Sequence, residues 1–255
     1  MKKEALREKI VNLRREAYVQ AVIRSSLSED VIGYIGRKIP VDVLHGFDLG
    51  VLPVDSTDRD ILAYSEEKCL CPLIDATYTY ARTDKCPLIH SAKVIVMDDS
   101  CKTFLEKMTG LLGDRILPFK DRETLIGDLE RLYGKPFDRA LYEEEKQKLA
   151  RIDHLCETLA ERNIPSRFLY ETEFYNRFIF NTDKRIELLK QVLEAYPEKG
   201  CARQDVYVPR GVQILDEIDA RYDNYRIREG ALCVGEKVLP KHEMDISYMF
   251  CTADM

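Results

Sequence analysis

Short apolar runs alternate with amphipathic segments along residues 28–120, and this alternation limits the fold more than any other feature of the sequence. The apolar runs have the length and composition of buried strands, and they cover residues 31–35, 51–54, 93–97 and 116–119. Strands separated in this way by helical segments are typical of a parallel sheet with helices packed against it. The sequence therefore predicts an α/β fold with a parallel-sheet, Rossmann-like domain.

The amphipathic segments around these strands predict the helices. We expect one helix over residues 2–26, a short one beginning at Pro40, one over Leu73–Arg82, and one from Cys101 to a stop at Gly110. In the first of them, the residues predicted to be buried are Leu6, Ile10, Leu13, Ala17 and Ala21. Cys101 would lie at the carboxyl end of a strand, where ligands bind in sheets of this kind.

Four regions follow from these patterns. They are an N-terminal helix over 1–27, an α/β cysteine-bearing domain over 28–120, a helical region over 121–200, and the start of a truncated second α/β domain over 201–255. The first helix of the helical region is marked by Leu125, Leu129 and Leu132. The second, which is longer, is marked by Leu141, Leu149, Ile152, Cys156 and Leu159. A further helical pair is predicted over residues 173–195, with Asn181 and Arg185 near its middle.

Composition excludes several functional classes. The net charge of −6 argues against a nucleic-acid-binding surface, which requires a basic face. The charged N-terminal residues do not resemble a signal peptide, and no apolar stretch approaches the length of a membrane span. We therefore expect a cytoplasmic protein with no membrane partner. In that reducing compartment, most of the eight cysteines would be thiols available for metal binding or redox chemistry rather than disulfides.

Cys71, Cys86 and Cys101 follow one another at intervals of 15 residues. Proline follows the first two, which favours extended or turn backbone at both sulfurs, and the third is predicted to open a helix. A helix N-terminus stabilises a thiolate, and thiolates gathered in this way suit a soft metal or an iron–sulfur cluster. The alternative is that the three are small buried hydrophobic residues. The spacing does not identify the metal, because structural zinc sites usually have two to four residues between paired cysteines.

The other cysteines divide by position. Cys201 and Cys233 each lie next to a glycine or near one, so loops at sheet edges are plausible for both, and ligation and packing stay open. Cys156 lies on the apolar stripe of its helix, which favours core packing. Cys69 is either a ligand or a spectator, and Cys251 is interpreted as a spectator.

Histidines and basic residues offer weaker signals. The four histidines form no constellation, and His90, close to the cysteines, could hydrogen-bond a cluster sulfide or lie at the surface. His45 is expected to cap or pack a helix. The pair Arg37-Lys38, between a strand and a helix start, could receive a phosphate or carboxylate, although such pairs are more often solvated.

The residues around the three cysteines resemble a known family. The run CPLIDATYTYARTDKCPLIHSAKVIVMDDSCKTFLEKM is similar to the cysteine segment of the 2-hydroxyacyl-CoA dehydratase / benzoyl-CoA reductase superfamily, and closest to its double-cubane iron–sulfur branch. That branch has the pattern C-P-x-x-K-S-S-Y, then T-D-x-C-P, then a strand ending in T-T-C-D-G-K-K. Weaker similarity covers VIGYIGRKIPVDVLHGFDLGVLPV before this run, and KGCARQDVYVPRGVQILDEID and REGALCVGEK after it.

The resemblance implies an iron–sulfur cluster, either [4Fe-4S] or a double cubane. Its implied ligands are Cys71, Cys86 and Cys101 from one domain and Cys201 and Cys233 from the other. It also implies three kinds of partner: an ATP-dependent iron–sulfur activator protein that delivers a low-potential electron, a second family subunit in a homo- or heterodimer, and acyl-CoA. The implied activity is one-electron cluster chemistry in dehydration or low-potential reduction, which makes the chain a component of a lyase or reductase.

Several positions depart from the family pattern. Lys102-Thr103-Phe104 follows Cys101 where the family has D-G-K-K, and Asp75-Ala76 departs from the K-S-S of the first motif. The chain also ends soon after Cys233, whereas the second domain of the family is usually longer. These departures favour an alternative of another class, in which the chain is a non-enzymatic iron–sulfur or zinc scaffold, an electron carrier or a regulatory paralogue.

Overall fold

The computed structural model describes residues 3–27, 30–36, 38–55, 59–66, 72–208 and 225–229. The described strands are β1 (Val31–Ile35), β2 (Gly50–Pro53), β3 (Val94–Met97), β4 (Ile116–Pro118), β5 (Gln204–Val208) and β6 (Tyr225–Glu229). The described helices are α1 (Lys3–Ser26), α2 (Val41–His45), α3 (Arg59–Leu62), α4 (Pro72–Arg82), α5 (Pro87–Ser91), α6 (Lys102–Leu112), α7 (Arg122–Tyr133), α8 (Arg139–Ala160), α9 (Ser166–Asn176) and α10 (Thr182–Ala195).

The first four strands form one parallel sheet in the order β2-β1-β3-β4, which confirms the predicted α/β fold. Ile32 in β1 lies opposite Val51 in β2 and Val94 in β3. The chain leaves β1 toward one side for β2 and returns to the other side for β3. The sheet therefore has a topological switch point between β1 and β3, the position at which open α/β sheets bind ligands. Farther along the chain, β5 and β6 form a separate parallel pair.

Helices cover both faces of the sheet, which explains why the strands are continuous apolar runs. Val31 and Ile35 face a core that also receives side chains from α1, α4, α5 and α6. Ile32 and Tyr34 face the opposite core, which is closed by α2 and α7. Successive side chains of a strand point to opposite faces. Since both faces of the sheet are covered, every position of β1 is buried.

Helix α1 joins the sheet to the helical region. All five residues predicted to be buried on it are buried, which confirms its predicted apolar face. Ala17 and Ala21 pack into the sheet core, whereas Leu6, Ile10 and Leu13 pack with α8, α9 and α10. A helix of this length extends about 36 Å, long enough to contribute to both cores.

Two predicted details are wrong. Helix α6 continues through Gly110 to Leu112, and it ends where Gly113 has a φ of 56°. A glycine inside a helix costs only about 1 kcal/mol, whereas a positive φ at the C-terminus strongly favours glycine, so Gly113 is the better stop. In α7, Leu132 is 41% exposed and Tyr133 occupies the buried position, because spacing by four residues continues the stripe from Leu129.

The predicted helical pair is present, although its first helix already begins at Ser166. Asn181 separates the two helices, and its side chain accepts a hydrogen bond from the backbone amide of Lys184 at 3.0 Å, as an N-cap does. None of the helices in the described part of the chain is both long and apolar enough to cross a bilayer.

Candidate functional site at the carboxyl edge of the sheet

The loops that follow β1 and β3 meet at the switch point of the sheet. Gly36 follows β1 with a φ of 122°, a conformation that favours glycine. A Cβ atom added to Gly36 would lie 2.1 Å from Oδ2 of Asp98, the first residue after β3. The two loops therefore approach so closely that only a residue without a side chain fits at position 36.

The Asp98 carboxylate holds these two loops together. Asp98 is 2% exposed, and its Oδ2 accepts a hydrogen bond from the backbone amide of Lys38 at 3.0 Å. Its Oδ1 accepts a second one from the backbone amide of Ser100, also at 3.0 Å. Hydrogen bonds to a buried carboxylate are among the stronger ones in proteins. Outside them, the Lys38 ammonium group pairs with the exposed Asp99 carboxylate at 3.1 Å.

Cys101 lies directly beyond this carboxylate. It is the N-cap residue of α6, with extended backbone, as the sequence predicts. Its carbonyl oxygen accepts the first helical hydrogen bond, from the amide of Leu105 at 3.0 Å. The side chain is partly buried and packs against the sheet core that faces α1. The N-terminus of α6, the positive end of its dipole, thus begins at Cys101, although the Cys101 side chain makes no cap hydrogen bond.

Cys86 occupies the same kind of position on the neighbouring helix. It precedes Pro87 in extended backbone, is the N-cap residue of α5, and is fully buried in the same core that Cys101 contacts. Burial raises the pKa of the Cys86 thiol. The backbone amides of Ile89 and Leu88 and the charge of Arg14 oppose that increase. Cys86 and Cys101 thus each stand at the start of a helix, and both pack in the same core.

Cys201 lies elsewhere. It is exposed, and it lines a hollow with Lys3, Tyr196 and Arg203. Lys3 therefore marks the position of Cys201 on α1, and Arg14, whose charge lowers the pKa of Cys86, marks that of Cys86. These two residues are about 16 Å apart along the helix. The structure therefore does not bring Cys201 next to Cys86. The predicted ligands Cys71 and Cys233 lie outside the described residues, and so do Cys69 and Cys251.

Within the described ranges, no three His, Cys, Asp or Glu side chains converge closely enough to hold a metal ion. His90 pairs instead with Asp84, with Nε2 3.2 Å from Oδ1. Cys156 is partly buried on α8, and its pKa is raised to about 12, mainly by burial, so it is a neutral thiol. The predicted roles of the cysteines as cluster ligands stay predictions.

Asp98 is the residue of this edge that the sequence analysis missed. Asp98 lies in a loop, and the sequence alone does not show whether the carboxylate of a loop residue is buried or solvated. One signal could have identified it: Gly36 follows β1 directly, and Asp98 follows β3 directly. When β1 and β3 are neighbours, these two positions face each other at the carboxyl edge of the sheet.

The fold places the chain in the class of α/β proteins with a parallel sheet. The chain matches no protein-family model, and no curated protein matches it significantly. The function must therefore be argued from the residues themselves.

Proposed function

We propose that this chain is an iron–sulfur protein whose cluster is bound at the carboxyl edge of the sheet by Cys71, Cys86 and Cys101. The observation that supports the proposal most is the matching placement of Cys86 and Cys101. Each is the residue at which a helix begins, and both pack in the core on the same face of the sheet. Amide groups directed at cluster sulfurs stabilise a reduced, more negative cluster, and a helix N-terminus provides such groups.

The electrostatics around Cys86 fit a thiolate that is bound by iron. A buried thiol without a metal keeps its proton, which agrees with the raised pKa of Cys86. Iron replaces that proton and compensates for the buried negative charge. The Arg14 guanidinium group, whose charge favours the Cys86 thiolate, would further offset the negative charge of a cluster.

A cuboidal cluster with three cysteine ligands has one iron that can polarise a substrate oxygen and relay one electron. On this basis we assign the chain to the dehydratase- or reductase-like subunits that its sequence resembles. An ATP-dependent iron–sulfur activator would be the electron donor, and an acyl-CoA the substrate. Cys201 and Cys233, the further ligands suggested by that resemblance, are separate predictions because Cys201 lies apart from the capping pair.

The proposal is tested by anaerobic reconstitution followed by iron and sulfide analysis and electron paramagnetic resonance. We expect about four iron and four sulfide ions per chain for a [4Fe-4S] cluster, or about twice that number for a double cubane. Substitution Cys101→Ser or Cys86→Ser should remove most of the iron, since each takes away one thiolate ligand. The same substitution at Cys156, a thiol of α8, is the matched control and should leave the iron content unchanged.

Three outcomes would contradict the proposal. They are a wild-type chain without iron, full iron retention by the Cys101→Ser variant, and about one zinc ion per chain in place of iron. The zinc result would instead identify a structural, non-enzymatic protein. The variant Cys201→Ser separates the two ligand groups, because loss of the whole cluster in that variant would require Cys201 to reach the edge of the sheet.

A further inference from the structure

A second site lies in the helical region, where α8, α9, α10 and β6 surround a cavity of about 510 Å³. Its lining includes Cys156, Asn176, Arg177, Arg185 and Arg226. The volume lies within the range of about 300–1,000 Å³ that is usual for small-molecule sites. We call it the α8–α10 cavity. None of the described residues at the cysteine-bearing edge of the sheet is among those that line this cavity.

Two residues that line this cavity each carry one buried polar atom for which the described part of the chain offers no hydrogen-bond partner. One is Nε of Arg185, a donor, and the other is Oδ1 of Asn176, an acceptor. Asn176 is only 1% exposed, so bulk water does not satisfy its carbonyl oxygen. Folded proteins leave few such atoms unpaired, and those that persist call for a specific explanation. A bound molecule that accepts from Arg185 and donates to Asn176 would satisfy both.

The charges in the cavity favour an anion at Arg185. Arg226 already has two carboxylate partners, since it lies 2.8 Å from Oε1 of Glu173 and also pairs with Glu157. Arg185 is in a different situation. Burial is the main cause that lowers its pKa, and the positive charge of Arg177 adds to this decrease, whereas Tyr34, Cys156 and Asp153 oppose it. A carboxylate bound at Arg185 would offset both its loss of solvation and the repulsion from Arg177.

The wall also contains the acidic residues Asp153, Glu157 and Glu173, and one part of it is apolar and aromatic. Ile152 and Ile227 line it, and so do Tyr170 and Phe174, whose rings stack with centroids 6.0 Å apart. These side chains offer a surface for a hydrocarbon group next to the polar pair. The cavity thus combines a cationic donor, a neutral acceptor and an apolar wall.

We propose that the α8–α10 cavity binds a small carboxylic acid that carries a hydrogen-bond donor beside the carboxylate and an apolar side chain, as an apolar amino acid does. The carboxylate accepts from Nε of Arg185, and the adjacent ammonium group donates to Oδ1 of Asn176. The hydrocarbon side chain packs on Ile152 and Phe174. Of the predicted cluster ligands that lie in the described part of the chain, Cys86, Cys101 and Cys201 are not among the residues that line this cavity.

Isothermal titration of the full chain tests the proposal with valine, leucine, methionine and phenylalanine as probes. At least one of them should bind with a dissociation constant below about 10 mM. For the amino acid that binds best, the analogue without the amino group and the analogue without the carboxylate should each bind at least about tenfold more weakly. The proposal is wrong if no probe binds, or if either analogue binds as well as the amino acid.

Variants assign the binding to this cavity. Arg185→Met and Asn176→Leu keep the approximate side-chain volume, and each should weaken binding at least about tenfold. Arg131→Met, which removes an exposed arginine of α7, is the matched control and should bind as the wild type does. Unchanged affinity in Arg185→Met would overturn the proposal.

Thermal unfolding provides a second readout that does not depend on affinity. Burial lowers the pKa of Arg185, so its charged form loses solvation on folding, and an apolar side chain of similar size should be neutral or stabilising there. Without ligand, Arg185→Met should therefore melt at the wild-type temperature or above it, and the amino acid should raise the melting temperature of the wild type alone. If the variant melts well below the wild type, Arg185 has a structural role and the proposal fails. A chain that takes up no iron would still bind the amino acid, so the two proposals fail separately.

Discussion

Replacing Gly36 with alanine should lower the free energy of unfolding by about 4 kcal/mol, and the melting temperature by about 10 °C. The new Cβ atom would lie 2.1 Å from Oδ2 and 2.3 Å from Cγ of Asp98. It would also force an L-residue to adopt a φ of 122°. Denaturant unfolding of the variant and the wild type measures the difference.

The cost is large because Asp98 cannot move aside. Its two carboxylate oxygens are fixed by the amides of Lys38 and Ser100, and the side chain is 2% exposed. Displacing it would leave buried donors unpaired on both loops. These loops precede α2 and α6, so the damage would also reach Cys101, the residue that caps α6.

Two controls separate the causes. Gly110→Ala places the same methyl group inside α6, where no atom lies within 4 Å, and it should stabilise the chain by about 0.5–1 kcal/mol. In an Asp98→Ala background the obstructing oxygens are gone, and Gly36→Ala should then cost only about 2 kcal/mol, the part due to the backbone. Equal costs in the two backgrounds would show that the contact with Asp98 is not responsible.

The sheet could be predicted from the sequence because of the way it is buried. Both faces of β1 and β3 are covered, so these strands are uninterrupted apolar runs, such as Val94–Met97, which are too short for typical helices and alternate with amphipathic segments. The strand order was not predictable in this way. It depends on which strands pair over long distances, and the local pattern of each strand is the same in any order.

The candidate site could be predicted only in part, for a related reason. Cys101 follows a strand and opens a helix, which are local features, and the structure confirms both. The position of Cys201 depends on how the helical region packs along the length of α1, which short-range spacing does not encode. Arg185 and Asn176 were expected only as residues of the helical pair over 173–195, because a sequence pattern does not distinguish a polar residue facing a cavity from one facing water.

Acidification should destabilise the chain through His45, the last residue of α2. His45 is 8% exposed, and its Nδ1 lies 3.8 Å from Oε2 of Glu145 on α8. Thr182 donates a hydrogen bond to the same oxygen at 2.7 Å, and Lys148 pairs with Oε1 at 2.9 Å. His45, Thr182 and Lys148 thus share the Glu145 carboxylate. Its negative charge is therefore not available to a charged His45 imidazole only.

Burial lowers the pKa of His45 from 6.5 to about 4. Glu145 and Asp42 oppose this decrease, whereas Arg185 and Lys148 add to it. The unfolded chain therefore binds a proton at His45 between pH 6.5 and about 4, a range in which the folded chain does not. Stability due to His45 is complete above this range and is lost as the pH falls through it.

The expected loss from His45 is about 2 kcal/mol between pH 7.5 and pH 5, and about 3 kcal/mol once the pH is below 4. Other groups titrate in the same range, so the measurement is a comparison of denaturant unfolding between variants at the two pH values. His45→Gln has no titrating group at this position, and its stability should fall by about 2 kcal/mol less than that of the wild type. The control His154→Gln changes an exposed histidine and should keep the full pH dependence. If His45→Gln retains that dependence as well, the imidazole is already charged in the folded chain and Glu145 stabilises it more than burial disfavours it.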